Sequence, residues 1–477
     1  MALDDAAARP QVTAVPHLSG GGLPWFGPCW SFRRDPVALL RAGRERLGNV
    51  FGFPLLGRRV VFACGPEAHA AVFGAEETVL SPKEAYRFIT PVFGPGVAYD
   101  AAPQEMSAQI SHLLPALSPR RLDGYARIAE EEVRTRLAHW APQGEVDLLS
   151  ELNRMTVAIA TRCLIGDEFQ HGMGPHLPGL YRDLESGIRL AGILSPALPL
   201  PSFRRRDRAR AAIARAIGDV IAARRAASAG APDGLEREPA AHGEDVDGSD
   251  MLATLLAARA PDGSPLDDDL VTGILIGMIF AGQHTSAVLA TWTGVLLLQH
   301  PQYVDALLAE QHTVTDGTPR LGAEPLHRME LLERCVREAE RLHPPLLVLM
   351  RTALRELDLI GHTVPAGTLV MVSPAVAHRM PEVFRDPDRF DPARYEAPRE
   401  EHRQPHALIG FGGGRHRCVG SAFAYLQVKA VWSVLLREVA FDAGHADFRP
   451  DYSTFIPGPV SPRVRYRKRS VPVPEQP

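Results

Sequence analysis

Phe411-Gly412-Gly413-Gly414-Arg415-His416-Arg417-Cys418-Val419-Gly420 is the stretch on which the reading of this 477-residue chain turns. The run of glycines lets the backbone turn tightly ahead of Cys418, and Gly420 lets a helix begin directly behind it. The N-terminus of that helix and the neighbouring cations favour the ionised form of a thiol, which is the form that binds metal. A lone cysteine is ordinarily an inert buried thiol. A glycine-rich loop can also cradle phosphate, but this one lacks the Lys-Ser/Thr ending of a P-loop and the spacing of a dinucleotide-binding turn.

Outward from this loop, composition is that of a folded enzyme, with 45% hydrophobic and 23% charged residues. A formal net charge of -4 gives no global reason to expect nucleic acid or an anionic membrane as partner. The five cysteines are odd in number and scattered, with no CxxC pair, which argues against a disulfide framework or zinc site and for a reducing cytoplasm. Met1 to Pro16 lacks the basic and apolar regions of a secretory signal or membrane anchor, so none is expected. One domain is expected over residues 31–469, after an irregular lead at 1–30 and before a tail at 470–477. Residues 228–250, rich in Gly, Pro, Ala and acids, read as a flexible surface loop inside it.

Val50 to Ala63 has alternating apolar residues around Pro54 to Gly57 and predicts a hairpin. Three- and four-residue apolar spacing predicts helices over Tyr125–Trp140, Leu148–Leu164, Arg204–Ala227 and about Ser421–Val439. The longest helix is predicted from Asp267 to His300, roughly 50 Å at 1.5 Å per residue. Gln283, His284, Thr285 and Ser286 sit in its middle, where a bilayer would penalise them most, so a buried central helix is favoured over a membrane span.

Two further signals carry chemistry. Glu338 and Arg341 stand one helical turn apart ahead of His343-Pro344-Pro345. The spacing alone says little, since Glu131 and Arg134 repeat it. Its position upstream of Phe384-Arg385-Asp386-Pro387-Asp388-Arg389-Phe390 and of the cysteine loop gives it weight. In Ala281-Gly282-Gln283-His284-Thr285-Ser286, a helical threonine can simply bond the carbonyl four residues back, here Ala281. An imidazole beside it can relay protons or sit hydrogen-bonded in a core.

Together these segments resemble the cytochrome P450 family. The resemblance implies a mainly α fold with smaller β-sheets, a triangular helix-rich prism around a buried haem. It implies haem b (iron protoporphyrin IX) with Cys418 as axial ligand, a thiolate that favours cleavage of the dioxygen bond. Phe411, Gly412, Arg415, His416 and Gly420 would form the loop that holds it. Glu338, Arg341 and Arg389 would make a buried Glu-Arg-Arg network bracing that loop. Thr285 would help deliver protons to dioxygen where Gly282 lets the helix open, and His284 replaces the acid usual before that threonine.

The His284 segment is similar in particular to the central helix of sterol 14α-demethylases. So are Tyr86-Arg87-Phe88-Ile89-Thr90-Pro91-Val92-Phe93-Gly94-Pro95-Gly96-Val97-Ala98-Tyr99-Asp100 and the Gly-Arg-His-Arg-Cys form of the cysteine loop. The likeness implies that Tyr86, Arg351 and His416 meet the haem propionates. It implies a substrate wall from Tyr86, Phe88, Phe93, Tyr99, Ala281, Leu346, Met350, Phe455 and Ile456, although aromatics in such a segment are also common core residues. One departure is plain: that family usually has a basic residue on the next helix, and Ala101 to His112 has no Lys or Arg.

The implied reaction is three oxidations of the 14-methyl group of a sterol, through alcohol and aldehyde to carbon-carbon cleavage with release of formate. Dioxygen and a separate electron-donor protein, a ferredoxin or flavodoxin with its reductase, would be needed, since the chain carries no flavin, nicotinamide or iron-sulfur fingerprint. Arg415, Arg417 and Lys429 could dock an acidic carrier. The alternatives are a related enzyme acting on another terpenoid or secondary metabolite, or a haem-thiolate sensor without turnover.

Overall fold

The computed structural model describes residues 13–18, 27–188, 200–229, 250–260, 262–316, 322–454 and 456–469. Its contacts divide the chain into two units. The first comprises Met1–Ala85, Leu346–Arg389 and Ala393–Cys418. Among the described residues it is built on eight short strands: β1 (Thr13–Ala14), β2 (Val50–Leu55), β3 (Arg58–Ala63), β4 (Leu80–Ser81), β5 (Leu349–Ala353), β6 (Leu357–Asp358), β7 (His362–Val364) and β8 (Leu369–Val372).

The predicted hairpin is β2–β3, in register from Val50↔Ala63 to Leu55↔Arg58. Leu56 and Gly57 both take positive φ, 50° and 73°, the two-residue turn whose twist matches the flanking strands. The sheet runs β2-β3-β8-β5-β4. β3 is parallel to β8, and β5 pairs antiparallel with β8 through Met350↔Met371 and Arg351↔Val370. All five residues of β5 are buried. A smaller sheet runs β1-β7-β6.

The second unit comprises Tyr86–Pro345, Phe390–Pro392 and Val419–Pro477 and is mostly helical. The helices used below are α1 (Pro66–Gly74), which belongs to the first unit, α2 (Thr90–Phe93), α3 (Leu148–Leu164), α4 (Leu177–Glu185), α5 (Pro201–Ala229), α6 (Asp268–Gln299), α7 (Glu330–Leu342) and α8 (Ser421–Glu438). The predicted helices are present with ends shifted by a few residues. Residues 230–249 of the predicted surface loop, 470–477 of the tail and most of the N-terminal lead lie outside the described residues.

α6 starts where its sequence says it should. The Asp267 carboxylate caps the amides of Asp269 and Leu270 at 2.9 and 3.2 Å, and Asp268 and Asp269 add negative charge at the positive end of the helix dipole. It is long and apolar enough to cross a bilayer, yet 67% of its apolar stretch is buried inside the protein. It packs along α3 and, near its C-terminus, on α8. There a Cβ on Gly294 would stand 2.0 Å from the Trp432 ring, whose indole N–H donates to Ala290 O at 2.7 Å. Glycine is required there by close approach.

Candidate active site

The cysteine loop lies in the first unit and is closed by the amide of Cys418, which donates to Phe411 O at 2.9 Å. Two of its glycines answer to α1. A Cβ on Gly413 would meet the Phe73 ring at 2.6 Å, and one on Gly414, at φ +61°, would meet Phe73 O at 2.2 Å. The loop can therefore take this path only with no side chain at these positions. Gly412 has φ +74°.

Burial separates the cysteines. Cys64, Cys163 and Cys335 are buried, and burial pushes each thiol up, Cys64 to about 12, so these three stay protonated. Cys29 is half-buried and Cys418 is exposed. Of the five, Cys418 is the most exposed, and it stands at the end of the glycine loop.

Also in the first unit, Arg351 is 7% exposed on β5 and gives one N–H to Met350 O at 2.8 Å. His416 Nε2 lies 3.1 Å from a Glu77 carboxylate oxygen. Burial lowers the His416 pKa, the nearby Arg351 charge lowers it further, and Glu77 opposes both. A cation and an imidazole thus sit in one neighbourhood beside the cysteine loop. Arg415 and Arg417 are exposed, and Phe411 and Gly412 are half-buried, as is Gly420, which precedes the first turn of α8.

In the second unit, α6 opens in its middle. Ala281 is exposed and Gly282, His284 and Thr285 are half-buried, between flanks that are almost wholly buried. A Cβ on Gly282 would meet nothing within 4 Å. The helix nevertheless runs through this point uninterrupted, with two carbonyls drawn to side chains: Thr285 Oγ1 donates to Ala281 O at 2.5 Å and Thr156 Oγ1 to Gln283 O at 3.3 Å. His284 Nδ1 lies 2.9 Å from Glu185 Oε1 at the end of α4.

The Phe93 ring packs 3.5 Å from where a Cβ on Gly277, one turn before Ala281, would stand, and meets Phe280 edge-on at 5.9 Å. Tyr86 stacks on Tyr99 at 4.7 Å with Phe88 at 6.0 Å, so these three candidate wall residues form a cluster of their own. In the first unit Leu346 is half-buried and Met350 buried. Ile456 is half-buried against the core of the second, and Phe455 lies outside the described residues.

The bracing pair is buried. Glu338 and Arg341 are both 0% exposed and share two N–H···O bonds of 2.8 Å, and Glu338 also accepts the Asp391 amide at 2.9 Å. The expected third member, Arg389, is not buried: its side chain is exposed. The buried arginine of that stretch is Arg394, whose guanidinium donates to the carbonyls of Arg385, Asp386 and Arg389 and to the Glu401 carboxylate. Lys429 also corrects the expectation. It is buried and bonded to Glu333 at 3.1 Å, so it is not a surface cation.

Glu185, Glu77 and Arg394 were not anticipated. Glu185 and Glu77 belong to no motif. Arg394 lies just beyond the quoted Phe384–Phe390 stretch, in Asp391-Pro392-Ala393-Arg394-Tyr395.

The donor set fits haem b. Within the first unit, an exposed thiol on a glycine loop suits an axial ligand, and Arg351 and His416 suit the propionates.

The family model for cytochrome P450 matches residues 16–463. The chain is 37% identical over 462 residues to the sterol 14alpha-demethylase of Mycobacterium tuberculosis (strain ATCC 25618 / H37Rv), covering 96% of this chain and 99% of that protein. It is 35% identical to the sterol 14-demethylase of Arabidopsis thaliana, covering 94% and 90%. It is 36% identical to the lanosterol 14-alpha demethylase of Rattus norvegicus, covering 94% and 86%. Among solved structures, retinoic acid-bound cyanobacterial CYP120A1 superposes with a TM-score of 0.80 at 26% identity, over 96% of this chain and 100% of that one.

Proposed function

The chain belongs to the cytochrome P450 family, and on that premise we propose that it is a sterol 14α-demethylase. As a family member it is a haem b monooxygenase, an oxidoreductase that takes a small-molecule substrate, dioxygen and electrons from a redox partner. One observation carries the finer reading: relatives from a bacterium, a plant and a mammal, each 35–37% identical along nearly the whole chain, bear the same 14-demethylase name.

Cys418 would hold the haem, with Tyr86, Arg351 and His416 toward its propionates. When bound, that group supplies the activation of dioxygen for insertion into a methyl C–H bond. The chain's own residues supply protons and position. Thr285 gives its hydroxyl hydrogen to Ala281 O, so its oxygen lone pairs face outward to accept a proton donor. Glu185 holds one nitrogen of His284 and leaves the other to exchange protons, the arrangement of a relay. The carboxylate is 30% exposed and the imidazole 21%, which links this relay to solvent. Phe93 and Phe280 offer an apolar wall to a rigid sterol.

The electron donor in this reading is a ferredoxin or flavodoxin docking at Arg415 and Arg417, and the compartment is the reducing cytoplasm, supported by five cysteines without a disulfide. A second reading, oxidation of another terpenoid, is favoured by Ala101 to His112, which lacks the usual basic residue, and by the likeness to a chain solved with retinoic acid.

The test is a titration of the purified haem protein with a 14-methyl sterol, followed by turnover with a redox partner. Saturable spectral binding and formate release are expected. Binding and hydroxylation of another terpenoid with no formate from any sterol would replace the first reading by the second.

A further inference from the structure

α5 is rich in arginine, and Arg204, Arg208 and Arg215 on it are exposed. Arg210 behaves differently. Its Nε donates to Val92 O at 3.1 Å and its Nη2 to Phe93 O at 3.3 Å, the last two carbonyls of α2. A four-residue helix cannot hold itself, and its end is closed by the Gly94 amide, which donates to Thr90 O at 2.8 Å. A guanidinium there satisfies orphan carbonyls and sits at the negative end of the helix dipole.

α2 is tied down from two other directions. On α6, Gly273 admits it so closely that a Cβ would stand 2.8 Å from Phe93 O and 2.7 Å from Val97 Cγ2. At the base of the same segment, the Asp100 carboxylate accepts the Thr90 hydroxyl at 3.3 Å and the Gly96 amide at 2.8 Å. The Gln109 amide accepts from Ala98 N at 3.0 Å and donates to Gly96 O at 2.7 Å. Asp100 and Gln109 fix the foot of the segment, whereas only Arg210 grips the carbonyl of Phe93 itself among the bonds described.

We propose that Arg210 is a positioning residue that clamps α2 between α5 and α6, keeps the Phe93 ring against Gly277 and Phe280 in the turn that precedes Ala281, and so sets which substrates fit there. The substrate part rests on the sterol reading above; the clamp does not. Releasing the guanidinium frees Phe93 to swing from Gly277 and Phe280, which loosens the fit of a rigid polycyclic substrate more than that of a flexible one.

The experiment compares the haem-loaded parent with Arg210→Ala, Arg210→Lys and the surface control Arg215→Ala by hydrogen exchange, with the reduced carbon-monoxide spectrum checking each for an intact fold. Amides of residues 92–98 should exchange about tenfold or more faster in Arg210→Ala, less so in Arg210→Lys, and at the parent rate in Arg215→Ala. In the same samples KM for a 14-methyl sterol should rise about tenfold with kcat within about twofold. Unchanged exchange over 92–98, or an equal rise along the whole chain, overturns the clamp. Local exchange in a protein that binds no sterol upholds the clamp and sinks the demethylase reading.

Discussion

Thr285 spends its hydroxyl hydrogen on Ala281 O at 2.5 Å, and that single bond decides what its oxygen can do next. Thr285→Ala should keep haem and its thiolate spectrum but lose ordered proton supply, so product per electron should fall at least about tenfold while peroxide rises, measured with a chemical or protein reductant. A second residue governs stability. His69 is fully buried; its Nε2 accepts the Gly65 amide at 3.2 Å and its Nδ1 lies 3.0 Å from His406 O. Burial holds this imidazole down at about 4. The folded value lies below the unfolded one, so its contribution is intact above about pH 6.5 and is lost as pH falls toward 4, worth about 3 kcal/mol in all. Acid unfolding followed by circular dichroism should be shallower over that window in His69→Asn, which starts from lower stability. Cys418, His284 and Thr285 stand out as candidates in the sequence because the signals that single them out lie in adjacent residues. Glu185 was not, since only folding brings the end of α4 to position 284, and the fate of Lys429 was hidden because a helix pattern does not say which cation will find a carboxylate in the core.

At the scale of elements, α6 shows what periodicity can and cannot reveal. Its start, length and buried character follow from the acidic cap, the apolar run and Pro301 just beyond its end. Its closest packing contact does not. Gly294→Ala would force a methyl into the Trp432 ring, and the expected cost is about 1–3 kcal/mol, read as a lowered denaturation midpoint with an unchanged m-value. The β2–β3 hairpin was legible from alternation and a turn, whereas the β3–β8 parallel pairing joins residues some three hundred positions apart and leaves no local trace. The exposed Arg389 and buried Arg394 make the same point for a loop: five residues on, the same side chain is held by three carbonyls and a carboxylate that only the folded turn presents.

For the molecule as a whole, family and fold class were readable because the cysteine loop, the Glu338–Arg341 pair and the α6 segment occur in one order along one chain. The substrate is less legible, since its wall is assembled from distant apolar side chains that any core could contain. The layout of the five thiols has a practical consequence for anyone preparing the protein. A maleimide cannot reach Cys64, Cys163 or Cys335, and iron ligation would withhold Cys418, so intact mass should record a single adduct, on Cys29, for each loaded molecule. Stripped molecules should take up a second adduct on Cys418, and the ratio of the two peaks then meters prosthetic-group occupancy without any optical assay. Equal labelling before and after stripping would mean that residue 418 never engages the metal.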